Sequence, residues 1–235
     1  MSDLGERLDH VRQRIAGAAR RAGRDPAQIR VVAVSKTFPA ARVLEAISAG
    51  VDCLGENRIQ EASRKLPEVR AASDACVEWH FIGPLQRNKA RRAVELFDVI
   101  ESVDRASLAR ELAKAARSLG RRPRILLQVN VDAEPQKAGV PPGGLADLLE
   151  TVDALPDLEP VGLMAIPRAA NDPEQSRPAF ARLRELLEKT NAGRDPSHRL
   201  AELSMGMSAD FEVAIEEGAT WVRVGSAIFG ERTKP

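Results

Sequence analysis

Along this chain, short apolar runs rich in β-branched residues alternate with longer stretches in which apolar positions recur every three or four residues. The first periodic stretch puts Leu4, Leu8, Val11, Ile15 and the Ala18-Ala19 pair on one face, which predicts an amphipathic helix over 4–22. Strands are predicted at 31–35, 51–55, 79–83, 99–103, 125–131, 158–166, 201–204 and 220–224. Helices are predicted at 40–49, 58–66, 86–96, 105–119, 145–154, 173–189 and 209–217. Every gap between strands thus holds a helix, an order that implies parallel pairing. The pattern predicts an α/β fold, a single TIM-like (β/α)8 barrel with an extra N-terminal helix; an open doubly wound sheet is the alternative. The seventh strand is the weakest of the set because it is short. Pro141-Pro142-Gly143-Gly144 reads as a loop before a helix rather than a linker, so one domain is expected over 1–235.

Of the 235 residues, 43% are hydrophobic and 29% charged, which suits a soluble globular protein with a sizeable core. Thirty-five Lys and Arg against 34 Asp and Glu argue against a broad nucleic-acid or membrane footprint and leave only a local patch open. The basic run Arg87, Lys89, Arg91 and Arg92 reads as a solvated helix face, with RNA binding as its alternative. Cys53 and Cys76 form neither a CxxC pair nor a zinc spacing and read as two buried reduced thiols. Residues 1–24 are charged throughout, without the apolar segment of a signal peptide, and no run is long enough to span a bilayer. A cytoplasmic protein is expected. No large apolar patch is evident, which favours a monomer.

In a barrel of this kind, chemistry belongs to the C-terminal ends of the strands. Lys36 ends the first strand, where partial desolvation disfavours a charged amine and a neutral amine can condense with an aldehyde. The plain alternative is a lysine that marks where a strand surfaces. Gly55-Glu56-Asn57, His80 with Gly83, Ser102, Asp104, Asn130, Met164, Ser204 and Arg223 fall on or near the other strand ends. Val222-Arg223-Val224-Gly225-Ser226 reads as a phosphate cradle, in which glycine lets an anion approach the backbone and serine adds a hydroxyl and an N–H. A Gly-Ser turn of no special function is the alternative, and Ser208 reads equally well as the N-cap of the next helix. His80 reads as either a hydrogen-bonded core residue or a ligand; with no second histidine nearby, no metal site is expected.

Six segments together resemble the pyridoxal phosphate homeostasis protein family. They are Val32-Ala33-Val34-Ser35-Lys36-Thr37, Gly55-Glu56-Asn57-Arg58-Ile59-Gln60-Glu61, the long block from Trp79-His80-Phe81-Ile82-Gly83-Pro84 to Lys89, Gly162-Leu163-Met164-Ala165-Ile166-Pro167, Leu203-Ser204-Met205-Gly206-Met207-Ser208, and Val222-Arg223-Val224-Gly225-Ser226 through Gly230. The resemblance implies a barrel like the N-terminal domain of alanine racemase, with pyridoxal 5′-phosphate (PLP) held as a Schiff base on Lys36. Its phosphate would then sit on Ser204, Gly225 and Ser226, and Arg223 would face the pyridine nitrogen. Asn57, His80 and Met164 would line the pocket. An arginine stays protonated and keeps that nitrogen unprotonated, which makes the ring a weaker electron sink. Racemases of this fold also need a tyrosine base from a separate C-terminal β domain, whereas this chain ends at Pro235, just after the eighth unit, and contains no tyrosine. The expected function is therefore PLP homeostasis, binding the cofactor and buffering or delivering it to apo PLP-dependent enzymes. The alternative is a PLP-dependent enzyme acting on an amino acid by a one-base mechanism. Lys137, in the loop after the fifth strand, reads either as a transient acceptor of PLP or as an ordinary loop lysine.

Overall fold

A computed structural model of the chain describes residues 3–134 and 136–230. Eight parallel strands pair in sequence order and close into a barrel: β1 (Arg30–Val34), β2 (Cys53–Glu56), β3 (Glu78–Phe81), β4 (Val99–Val103), β5 (Arg124–Gln128), β6 (Glu159–Met164), β7 (Glu202–Met207) and β8 (Trp221–Val224). The last strand returns to the first, with Val32 opposite Arg223 and Ala33 opposite Val224. Closure leaves no sheet edge, which an open doubly wound sheet would expose. The helices are α1 (Asp3–Arg21), α2 (Ala40–Ser48), α3 (Ile59–Ala72), α4 (Ala90–Leu96), α5 (Ala106–Leu119), α6 (Leu145–Asp153), α7 (Arg177–Asn191), α8 (Phe211–Glu216) and the single turn α9 (Ser226–Phe229). None is long and apolar enough to cross a membrane.

The strands divide their side chains by alternation. Ala33, Leu54, Trp79, Phe81, Ile125, Leu163 and Val222 belong to the large apolar layer under the helices. Val32, Cys53, Val99, Leu126, Met164 and Trp221 form a second, smaller cluster inside the barrel. The N-terminal helix joins the outer layer through Leu4, Leu8, Val11 and Ile15. It is tied to α8 by Arg14–Glu212 at 3.0 Å and Arg21–Glu216 at 2.8 Å.

Several boundaries differ from those the sequence predicts. The helix expected at 58–66 continues through Pro67 to Ala72. A proline inside a helix costs roughly 3 kcal/mol, and burial of Leu66 and Val69 on the same helix offsets it. The helix expected over 86–96 splits into a 3-10 turn at Arg87–Lys89 and α4, and the short seventh strand extends to Met207. Cys53 is buried inside the barrel as expected, but Cys76 is exposed because it lies between α3 and β3, outside the alternation that buries strand residues.

One glycine fixes how the second and third units meet at the mouth. A Cβ on Gly83 would stand 2.1 Å from the Asn57 carbonyl oxygen. Gly83→Ala is therefore expected to destabilise the fold by about 1–3 kcal/mol through overpacking, read as a lowered urea midpoint at unchanged slope. An unshifted midpoint would mean that the Asn57 loop yields freely.

Candidate functional site

The mouth at the C-terminal ends of the strands is built in three parts. The first concerns Lys36. Lys36 follows β1 by two residues, directly after Ser35, which turns toward α3. Lys36 is half-buried, and Thr37 after it adopts φ 72°, the left-handed region that a β-branched residue avoids. A buried ion group holds this turn from behind. Lys65 Nζ donates to the Ser35 carbonyl at 2.9 Å, to Glu56 Oε1 at 2.7 Å and to Glu61 Oε1 at 2.8 Å. The Ser35 hydroxyl donates to the same Glu56 oxygen, and the Thr37 N–H donates to Glu61. Both neighbours of Lys36 are thus held by one cluster on the helix side of the strands. Burial pushes the Glu56 carboxyl above its ordinary pKa against the opposing pull of Lys65.

The second part lies on the adjacent strand. The N–H groups of Gly225 and Ala227 converge on the Ser208 hydroxyl at 3.1 and 3.4 Å, where β8 gives way to α9. Gly225 stands against Val34, two residues before Lys36; a Cβ there would lie 3.5 Å from the Val34 Cβ. Ser226 is exposed beside it. Gly206, at φ 86° inside β7, lies where the pairing with β8 shifts register two residues before Ser208, and a Cβ on it would come within 2.5 Å of the Ala214 Cβ. With the Ser208 hydroxyl turned aside, the two convergent N–H groups that now donate to it, together with the Ser208 and Ser226 hydroxyls, would form a donor set suited to a phosphate.

The third part runs down the inside of the barrel. Arg223 is enclosed, with Nη2 donating to the Ala165 carbonyl at 2.8 Å and Nη1 to the Ser204 hydroxyl at 2.6 Å. Ser204 donates onward to Glu101 Oε2 at 2.5 Å, and Arg223 Nη1 is 3.9 Å from the same oxygen. Glu101 Oε1 meets His80 Nδ1 at 2.6 Å, and His80 Nε2 meets Glu78 Oε1 at 2.7 Å. Glu78 is flanked by Arg30 at 2.8 Å and by Arg124. Burial works against the charge on Glu78 and on Glu101. The hydrogen bond from His80, its charge and the two arginines nevertheless bring Glu78 down to about 2, and His80 and Arg223 lower Glu101 likewise. Burial likewise opposes the charged form of His80, yet Cys53 and the two carboxylates raise its pKa well above the ordinary value. Burial lowers Arg223, against the pull of Glu101 and Asp210.

The geometry relocates several residues singled out in the sequence. Ser204 is completely buried and its hydroxyl is engaged by Glu101 and Arg223, whereas the Ser208 hydroxyl is the one that meets the Gly225 and Ala227 N–H groups. His80 is completely enclosed beneath the mouth, edge-on to Trp221 at 4.8 Å, as a hydrogen-bonded core histidine. Met164 is buried in the inner apolar cluster, and Asn57 is half-buried after β2. Lys137 pairs with Glu134 at 2.6 Å beside a cleft of about 270 Å³ that Ile82, Gln128 and Ile166 also line. Arg91 and Arg92 share Glu95, which neutralises part of the basic run. Cys53, Glu78 and His80 offer ligand-type atoms within 4.8 Å of one another. There both ring nitrogens of His80 already face carboxylates and two guanidinium groups flank Glu78, an arrangement of ion pairs rather than of metal ligands.

Glu61, Lys65 and Glu101 went unrecognised in the sequence. Their signals were faint: Lys65 follows Glu61 by four residues on what reads as a solvated helix face, and Glu101 is a lone charge in Val99-Ile100-Glu101-Ser102-Val103. Together an amine, an anion cradle and a buried guanidinium can hold a small phosphorylated aldehyde.

Residues 7–233 match the family described as alanine racemase, N-terminal domain. The chain is similar to the pyridoxal phosphate homeostasis protein of Pseudomonas aeruginosa, 48% identical over 233 residues that cover 99% of this chain and 97% of the relative. It is likewise similar to the protein of that name from Escherichia coli, 40% identical over 232 residues, covering 99% and 98%. Among solved structures it is similar to PipY of Synechococcus elongatus with PLP bound, at TM-score 0.85 and 40% identity over 97% of this chain and 100% of that one. Alanine racemase of Clostridium difficile shares the fold alone, at 13% identity and TM-score 0.70, with 58% of the racemase covered. On full-length identity and on fold, the chain belongs to the pyridoxal phosphate homeostasis protein family.

Proposed function

We propose that this protein binds PLP at the barrel mouth, buffers it and delivers it to apo PLP-dependent enzymes, without turning over an amino acid itself. The observation that carries this reading is the convergence of Lys36 and the Gly225–Ala227 cradle on neighbouring strands, in a fold whose relative PipY was solved with PLP bound. When bound, PLP supplies an aldehyde that condenses with a lysine amine and a pyridine ring that can accept electrons. Lys36 provides the amine. The N–H groups of Gly225 and Ala227 bind the phosphate, with Ser208 and Ser226 adding hydroxyls. Arg223 faces the ring nitrogen and keeps it unprotonated, while Asn57 and Met164 line the pocket. The absence of tyrosine from the sequence removes the second base that a two-base racemase needs. Free thiols at Cys53 and Cys76 suit a reducing cytoplasm. Ile166 and Met207 are the exposed large hydrophobics among the described residues, which suits a monomer.

Wild-type protein mixed with PLP is expected to develop a violet absorption band. Borohydride should then bleach it and leave a pyridoxyl group on the Lys36 peptide, located by mass spectrometry. No band at saturating PLP, or a label elsewhere in the wild type, would sink the assignment.

The ion group behind Lys36 yields a second expectation. Lys65→Met leaves Glu56 buried with the Ser35 hydroxyl but without its charged partner, at a cost of about 3–5 kcal/mol, and frees the turn that presents the amine. Band formation is expected to slow on the order of 10–100-fold. Affinity for pyridoxine 5′-phosphate, which lacks the aldehyde, should stay within about threefold. Lys65→Arg should recover most of the rate. Equal losses for both ligands would mean a general collapse of the mouth instead of a displaced amine.

A further inference from the structure

The column inside the barrel is longer than a partner for Arg223 requires. One carboxylate would neutralise that guanidinium, yet the chain of contacts continues from Glu101 through His80 and Glu78 to Arg30 and Arg124. Charges alternate along it, and each link fixes the orientation of the next. The groups packed around His80 are Glu78 on its own strand, Glu101 on β4, Cys53 on β2 and the Trp221 ring on β8. Only a doubly protonated imidazole donates to both carboxylates at once.

We propose that His80 is a positioning residue for Arg223: as an imidazolium it holds Glu101 in place, and Glu101, through Ser204, holds the guanidinium toward the mouth. The proposal rests on the reading that Arg223 faces the ring nitrogen of bound PLP. The cation at the upper end of the column is Arg223, with Arg30 and Arg124 at its far end. A cation in that place suits a phosphate dianion and opposes protonation of the ring nitrogen. Without the imidazolium, Glu101 keeps only Ser204 and Arg223 as partners and draws the guanidinium inward. Loss of the positive charge and withdrawal of Arg223 act in the same direction. Both make the ring nitrogen easier to protonate.

The test uses PLP labelled with ¹⁵N at the ring nitrogen and follows its chemical shift against pH in loaded wild type and in His80→Gln. The ring nitrogen is expected to titrate about one pH unit higher in the variant, the effect of one charge acting through partly screened protein. A residue that merely fills space would not move this titration. Independently, ¹⁵N-histidine spectra of the apo wild type should show both His80 ring nitrogens protonated from pH 5 to 8, a measurement that stands even if the variant does not fold. A neutral His80 ring in that range overturns the proposal, as does an unmoved ring titration in a folded, loaded variant. Failure of labelled PLP to bind the wild type overturns the cofactor reading together with the role given to His80.

Discussion

Glu101 accepts hydrogen bonds from His80 and Ser204 and stands 3.9 Å from Arg223, with no exposed surface of its own. Two cations can be enclosed in the barrel only because this carboxylate lies between them. Desolvating each ion costs several kcal/mol, and the attraction between partners repays that only when the remaining donors and acceptors are also satisfied. Ser204, the Ala165 carbonyl and Glu78 meet that condition. Apolar filling inside the barrel is correspondingly small among the described residues: Val32, Cys53, Val99, Leu126, Met164 and Trp221, with Val161 packed against them. Packed hydrocarbon would stabilise such an interior as well or better, so the column is explained by what it holds at its upper end. There it fixes a guanidinium whose charge cannot be removed by any ordinary change of pH.

The same physics operates on the other side of the strands. Alternation sends Ser35 and Glu56 toward α3, and Lys36 and Asn57 each follow them by one residue. The ion group of Glu56, Glu61 and Lys65 therefore shapes the site without entering it. Left-handed backbone at Thr37 costs on the order of 1–3 kcal/mol, and a hydrogen bond from its N–H to a carboxylate recovers a comparable amount. Strain and its compensation lie within two residues of the amine. Such a turn has little freedom to drift, which suits a nucleophile that must meet an aldehyde in one orientation.

The barrel was legible because its signal is repeated: each apolar run of 4–6 strand residues is followed by a helical period, and the eight strands close as a set. Boundaries were less legible where tertiary burial overrode a local rule, as in the helix that runs through Pro67. At the mouth, Lys36 and Gly225 could be singled out in the sequence because each follows closely on the end of a strand. Ser204 and Ser208 could not be told apart in the sequence, because parity within β7 and the positive-φ glycine at 206 set which of the two hydroxyls meets the Gly225 N–H. Glu101 and Lys65 were invisible for a related reason. A charged residue acquires its meaning from a partner far away in the chain, such as Ser204, which is 103 residues from Glu101. Composition and periodicity carry no record of that pairing.

These features bear on why such a site would hold a cofactor rather than use it. Turnover of amino acids on PLP depends on drawing electrons into a protonated pyridine ring and on a base poised beside the substrate. On the proposed reading, Arg223, held from below by Ser204 and Glu101, works against the first, and the sequence offers no tyrosine to serve as the base that racemases of this fold employ. What remains is strong for retention: a lysine presented by a clamped turn, and two backbone N–H groups on the next strand. Both anchors are reversible. A Schiff base exchanges with another amine, and a phosphate held by neutral N–H groups beside the exposed Ser226 is not sealed from solvent. On the proposed reading, the same arrangement that disfavours catalysis leaves the cofactor free to depart intact.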